Sequence, residues 1–295
     1  MNIGEALNIY NGFYNNNGDY GEDDLFMFTE ATKYLIEETD DPEYMLALGG
    51  VYYENKFFDL ALKYYEMAAV RDYEPAMLCL GYIWYYGRTG AVDYKKAFEY
   101  YSKAVQNIVA QYKIADMYKN GYYVQQNYDK YKEIIERLYP AIRYTNNAGD
   151  PLPEICLRLA GIRENDRNTD EALRLLRQGK SMLGIRIKYD PFFGNLTIMN
   201  DIVDMLYRLS KFDMSDCDFY DLFYLLKDPV KVGFSYNGTQ HIIESVNEQD
   251  GSVSICFDGK WFRTFNDLLT KSDLNGELIT IVTEKMKDFK IIEQG

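Results

Sequence analysis

The chain holds 295 residues, 47% of them hydrophobic and 29 of them tyrosine, and carries a formal net charge of −14. Its length exceeds one average domain, and its apolar fraction is ample for a core. A negative field of this size repels phosphate backbones and anionic lipid, which sets nucleic acid and membrane surfaces aside as partners.

Met1 to Tyr20 has no basic opening and no continuous apolar run, unlike a secretion signal, and no later stretch approaches a membrane span. Cys79, Cys156, Cys217 and Cys256 are widely spaced with no C-x-x-C pair, so reduced thiols in a cytoplasmic protein are expected. The first predicted helices, Ala6 to Tyr10 and Leu25 to Ile36, are marked only by an apolar stripe. Next, one spacing is written twice. Met45, Leu48, Gly49, Tyr52, Ala61, Tyr65 and Ala68 are matched by Met77, Leu80, Gly81, Trp84, Ala97, Tyr101 and Ala104. Within each first helix the residues fall at i, i+3, i+4 and i+7, a single stripe with a small residue where a partner helix must come close. The second helices place Ala, Tyr and Ala on one stripe of their own.

A third copy follows, with Ile114, Ala115, Tyr118 and Gly121 in the places of Leu80, Gly81, Trp84 and Gly87. Tyr131, Ile135 and Leu138 make its second helix bulkier. A fourth keeps Leu159, Ala160, Ala172, Leu176 and Gly179 but has Arg163 in the aromatic position. Self-similarity at this period predicts stacked helix pairs, each burying its apolar face against the next.

The first copy, with eight residues between Tyr52 and Ala61, resembles the tetratricopeptide repeat pattern W-x2-LG-x2-Y-x8-A-x3-F-x2-A. The second has twelve between Trp84 and Ala97, and its longer turn carries Gly87, Gly90, Val92, Asp93, Lys96 and Ala97. This resembles the Sel-one-like repeat, with its enlarged glycine-containing turn followed by D-x-x-K-A; Gly121, Asn127 and Lys130 repeat the turn in the third copy. Asn55 departs from the pattern at the loop glycine of the first copy. The resemblance covers about residues 40 to 180 and implies a right-handed superhelix that serves as a protein-binding scaffold, with first helices on its inner surface.

After Asp190-Pro191 breaks the helical pattern, Met199, Ile202, Val203, Leu206 and Leu209 trace an amphipathic helix. Phe219, Leu222, Phe223 and Leu226 trace a shorter one, started by Asp216 or Asp218. From Asp228-Pro229 the period becomes 2. Val230 to Tyr236, Gln240 to Val246 and Val253 to Phe257 read as strands, with Asn237-Gly238 and Asp258-Gly259 as tight turns and Trp261-Phe262 as a short return. A helix over Asn266 to Lys271, a strand over Leu278 to Val282 and a last strand over Phe289 to Ile292 complete the expected module. The fold class is therefore mainly α: a helix-hairpin repeat solenoid followed by a small C-terminal α+β domain with an antiparallel sheet. Its expected divisions are 1–188 for the solenoid, with best repeats 42–73, 74–107 and 108–140 and weaker units 4–38 and 153–180; 189–228 for connecting helices; and 229–295 for the α+β domain.

Chemical motifs are scarce. His241 is the single histidine and no nucleophile is tied to it by motif. Asp166, Asn168 and Asp170 open like a calcium loop, but Glu171 and Arg177 stand where glycine and glutamate are required, which leaves a polar helix cap. Asp213, Asp216, Asp218 and Asp221 read as a solvated helix start rather than a metal site. There is no P-loop and no dinucleotide fingerprint. No catalytic residue, metal or cofactor is expected.

The charge is uneven. Residues 1–75 hold 16 acidic and 4 basic side chains, residues 76–229 hold 20 and 21, and residues 230–295 hold 10 and 7. The acidic end reads first as a solubilising cap on the terminal repeat. The leading expectation is a non-enzymatic scaffold that binds a peptide or partner helix. Its groove is expected at first-helix positions outside the packing stripe: Leu46, Tyr53 and Glu54; Leu78, Tyr82, Tyr85 and Tyr86; and Tyr112, Asp116, Lys119 and Asn120. One alternative is that the C-terminal module is a small enzyme or ligand-binding domain delivered by the repeats, favoured by a pocket lined with His241, Trp261 and acidic groups. Another is an inhibitor or immunity-type protein whose acidic end covers a basic partner.

Overall fold

The computed structural model describes residues 1–15, 21–211, 213–214 and 217–294. Asp216, one of the two expected helix starters, lies outside the described residues. The chain forms two compact units, Met1–Ile134 and Ile135–Gly295.

The first unit runs α1 (Ile3–Asn15), α2 (Glu22–Thr39), α3 (Pro42–Glu54), α4 (Phe58–Ala69), α5 (Glu74–Tyr86), α6 (Tyr94–Lys103) and α7 (Ile108–Asn120); α8 (Tyr128–Ile142) begins in it. From α1 to α7 each helix packs on its chain neighbour, both within a hairpin and from one hairpin to the next. Helix starts follow local chemistry. The Asp41 carboxylate accepts from the Glu43 amide with Pro42 behind it, Asp93 accepts from the Lys96 amide, and Asn107 accepts from the Val109 and Ala110 amides. Gly87 and Gly121 end α5 and α7 in the left-handed region, at φ 61° and 71°. The enlarged turns close alike: the Asp93 amide donates to the Trp84 carbonyl at 3.0 Å, and the Asn127 amide to that of Tyr118 at 2.8 Å.

The small residues of the stripes answer to aromatic rings. A Cβ on Gly49 would lie 2.6 Å from the Tyr65 ring, and one on Gly81 would lie 2.3 Å from the Tyr101 ring. Met45, Leu48, Ala61, Ala68, Leu80, Ala97 and Ala104 are fully buried, so the repeated spacing is the spacing of the interior. The upstream pair joins it through Phe13, Phe28 and Ile36, which cluster with Met45 and Leu48.

In the second unit, α9 (Leu152–Asn165) packs on α10 (Thr169–Tyr189) with Leu159, Ala160, Ala172, Leu176 and Gly179 buried, realising the fourth copy as a helix pair. The Asn168 side chain accepts from the Glu171 amide, the cap expected in place of a calcium loop. α11 (Phe193–Leu209) lies against α10 and is followed by a 3-10 turn, Phe219–Asp221, that runs into α12 (Leu222–Leu225). The acidic start is only partly solvated, a correction to the sequence reading. Asp218 caps the turn and stays exposed, but Asp221 is fully buried, and the Lys180 ammonium reaches both carboxylates at 2.9 and 2.5 Å. The turn must enter the core because Phe219 and Leu222 fill it, so a cation is brought in with Asp221. Among the described residues no group of three His, Cys, Asp or Glu is placed to hold a metal ion.

β1 (Val230–Tyr236), β2 (Thr239–Asn247), β3 (Val253–Phe257), β4 (Lys260–Phe262) and β7 (Lys287–Gln294) form an antiparallel sheet in the order β4-β3-β2-β1-β7. Phe234 pairs with His241 and Ile243 with Phe257 across it. Asn237 and Gly238 take φ of 48° and 80°, the tight hairpin turn that their identities predict. α13 (Phe265–Lys271) follows β4. The expected strand over Leu278 to Val282 is a further correction. Leu278 ends a two-residue hairpin of β5 (Asp273–Leu274) and β6 (Glu277–Leu278), whereas Ile279–Val282 is a helical turn, α14. Its β-branched run is overridden by burial at Ile279, Thr280, Val282 and Thr283, and α14 packs against α10 and α13.

Candidate functional site

All of the first-helix residues expected to line a groove belong to the first unit. Leu46 and Leu78 are partly buried and pack on the interior clusters, where they fill space between helices. Tyr82 stacks on Tyr86 at 5.9 Å with 9° between the rings, and Tyr85 meets Tyr86 edge-on at 4.9 Å. Tyr86 remains 44% exposed. Tyr53 lies edge-on to Phe58 at 5.3 Å. Beside it Glu54 keeps an exposed face, yet it has lost enough hydration that its carboxyl titrates above the ordinary value. Burial, and then the negative Asp116, push the Tyr85 hydroxyl well above its ordinary value. At the far end Lys119 places its ammonium 5.3 Å over the Tyr131 ring, and Asn120 is exposed. Tyr112 departs from expectation: at 5% exposure it is interior. The ring supports the wall from behind because α7 turns this position inward, as it does at the neighbouring Lys113.

Two cations outside the repeated stripe bind these rings together. The Lys113 ammonium donates to the Tyr86 hydroxyl at 2.7 Å and lies 5.0 to 5.7 Å from the ring centres of Tyr82, Tyr85, Tyr86 and Tyr112. Lys113 is itself buried, and no carboxylate pairs with it among the described residues. The Arg88 Nε donates to the Tyr53 hydroxyl at 3.0 Å, and the guanidinium stands 5.4 to 5.9 Å from the rings of Tyr53, Phe58 and Tyr86. Cation–π contacts are worth about 0.5–1 kcal/mol at exposed sites such as Arg88 and about 2 kcal/mol where the cation is desolvated, as at Lys113. The Lys113 signal was present in the sequence, since the matching slots hold Cys79 in the second copy and Ala47 in the first. A lysine in a slot otherwise small and apolar needs a compensating environment, and four tyrosines supply it.

A parallel contact explains the D-x-x-K element. Lys96 lies 3.7 Å over the Trp84 ring, and Lys130 lies 4.8 Å over Tyr118, so each of these second helices caps the aromatic of its own first helix with a cation.

In the second unit His241 is held rather than poised. Its Nδ1 lies 2.6 Å from an Asp258 carboxylate oxygen, and its ring packs against Phe234, Tyr236 and Phe257. The other Asp258 oxygen accepts from the Ile242 amide at 2.9 Å, so the pair fastens the turn after β3 to β2. Trp261 is 56% exposed on the edge strand. A cavity of about 380 Å³ in this unit is lined by neither His241 nor Trp261.

Solved structures similar to this chain include two helical-repeat proteins. One is a Sel1 repeat protein from Oxalobacter formigenes, at 19% identity and a TM-score of 0.48, covering 62% of this chain and 70% of its own. The other is a protective antigen of uropathogenic Escherichia coli strains that displays an SLR fold, at 17% identity and a TM-score of 0.45, covering 61% of this chain and 43% of its own. No family model matches the chain, and no curated protein matches it. Among the described residues no helix is long and apolar enough to cross a membrane.

Proposed function

We propose that this chain is a non-enzymatic interaction scaffold that binds a protein partner, as an extended peptide or a helix, on the first-helix wall of its N-terminal repeats. The supporting observation is the aromatic assembly of Tyr53, Tyr82, Tyr85 and Tyr86 knitted by Arg88 and Lys113. Such rings offer large contact area and lose little conformational entropy on binding, because their neighbours already hold them in place. Arg88 and Tyr86 are exposed enough to meet a partner, whereas Lys113 and Tyr112 act from behind by fixing ring positions. The four unpaired cysteines accord with a reducing, cytoplasmic setting.

The test is affinity capture from the native cell, followed by titration of the recovered partner. A Tyr86→Ala/Arg88→Ala variant should bind at least roughly tenfold more weakly. A Glu99→Ala/Lys103→Ala variant of α6 should bind as wild type does, with both variants folded by circular dichroism. Equal binding by all three proteins would remove the wall assignment.

A further inference from the structure

The cavity of about 380 Å³ in the second unit lies between α11, α12 and the β3–α13 side of the sheet. Its floor is apolar and its mouth open: Leu196, Leu222, Phe223, Leu226, Ile255 and Phe265 are all buried. The polar groups around it are mostly engaged. Lys227 pairs with Asp204, and Thr264 caps α13 through the Asp267 amide. Two groups are left. Arg263 borders the cavity at its exposed rim, and among the described residues its guanidinium makes no hydrogen bond or ion pair; nearby Asp267 is taken up by Lys271 and Thr264. The Asn266 Oδ1 is buried at the cavity wall with no hydrogen-bond partner among the described residues.

A greasy floor of this volume, an unpaired cation and an orphan acceptor specify complementary features in one occupant. We propose that this cavity binds a small apolar carboxylate that also carries an N–H donor, of the class of N-acylated apolar amino acids. The carboxylate meets Arg263, the N–H donates to Asn266 Oδ1, and the apolar side chain covers the floor. The occupant is a small molecule because the cavity's volume lies at the lower end of those that hold one. This site is independent of the first-helix wall, and neither reading needs the other.

The test uses the full chain and N-acetylphenylalanine, followed by calorimetry and by amide NMR shifts. Saturable binding is expected, with shifts at Ile255, Phe265 and Asn266. The uncharged N-acetylphenylalanine amide and the Arg263→Gln variant should each lose at least tenfold in affinity. Arg263 is exposed and makes no hydrogen bond or ion pair among the described residues, so its substitution should leave the fold intact, which circular dichroism checks. Phenylpropionate, which lacks the N–H, should bind more weakly to wild type but equally to wild type and an Asn266→Leu variant. Absence of saturable binding at millimolar acid, or affinity unchanged by Arg263→Gln, overturns the site. Phenylpropionate binding as tightly as the N-acetyl acid overturns the role of Asn266.

Discussion

Tyr65 and Tyr101 hold the same place in successive repeats, yet their hydroxyls meet different ends. The Tyr65 hydroxyl interacts with the Cys79 thiol, whereas that of Tyr101 is fully buried with no hydrogen-bond partner among the described residues. Burial accordingly drives both hydroxyls far above their ordinary titration range, and the Cys79 thiol is pushed up to about 11. A buried donor without a partner forfeits its hydration for nothing. Tyr101→Phe should therefore raise stability by about 1 kcal/mol in urea unfolding, while Tyr65→Phe should not. Loss of stability in Tyr101→Phe would show that the hydroxyl is satisfied after all. The difference traces to the matching slot, which holds Cys79 beside the Tyr65 hydroxyl but Lys113 in the next copy, whose ammonium donates to the Tyr86 hydroxyl.

The helices show why the repeated glycines belong to pairs rather than to single positions. Gly81 leaves its helix bare where the Tyr101 ring crosses, and a methyl group there would overlap the ring. In the third copy Ala115 replaces the glycine and Ile135 the tyrosine, and in the fourth Ala160 goes with Leu176, so the added methyl goes with loss of the ring. Gly81→Ala should cost about 1–3 kcal/mol by overpacking, read as a lower melting temperature. Gly161 has open space around its missing Cβ and sits inside α9, so Gly161→Ala should stabilise by about 0.5–1 kcal/mol. Matching signs for the two substitutions would mean that helix propensity, and not the crossing distance, governs these sites.

Across the chain the negative charge is concentrated toward the N-terminal end. Residues 1–75 carry a local balance of −12, from 16 acidic against 4 basic side chains, and α2 opens with Glu22, Asp23 and Asp24 in succession. A few local pairs, Lys33 with Glu30 and Arg71 with Asp40, offset little of it, and exposed pairs are weak. Self-repulsion should therefore loosen α1 and α2 at low ionic strength. Hydrogen exchange should show protection there rising as salt is increased to roughly 0.15 M, with α10 and α11 unaffected. Protection in α1 and α2 that ignores salt would mean that apolar contacts of Phe13 and Phe28 dominate the end of the stack.

Spacing along one helix is a local property, and so the repeated stripes, the glycine turns and the polar cap before Glu171 could be read from the order of residues alone. The hairpin turns Asn237-Gly238 and Asp258-Gly259 were legible for the same reason, since each reflects what its own backbone can adopt. Ile279 to Val282 was not, because its β-branched run favours a strand in isolation and becomes helical only through what it packs against. Nor was the Lys113 cage, whose members come from α5 and α7, or the buried Lys180–Asp221 pair, whose members are 41 positions apart. Pattern along the chain established which helices form and which faces they bury. Which cations end up among the tyrosines, and which polar atoms are left without partners, depends on distances between segments that meet only once the chain has packed, because charge and desolvation act through space.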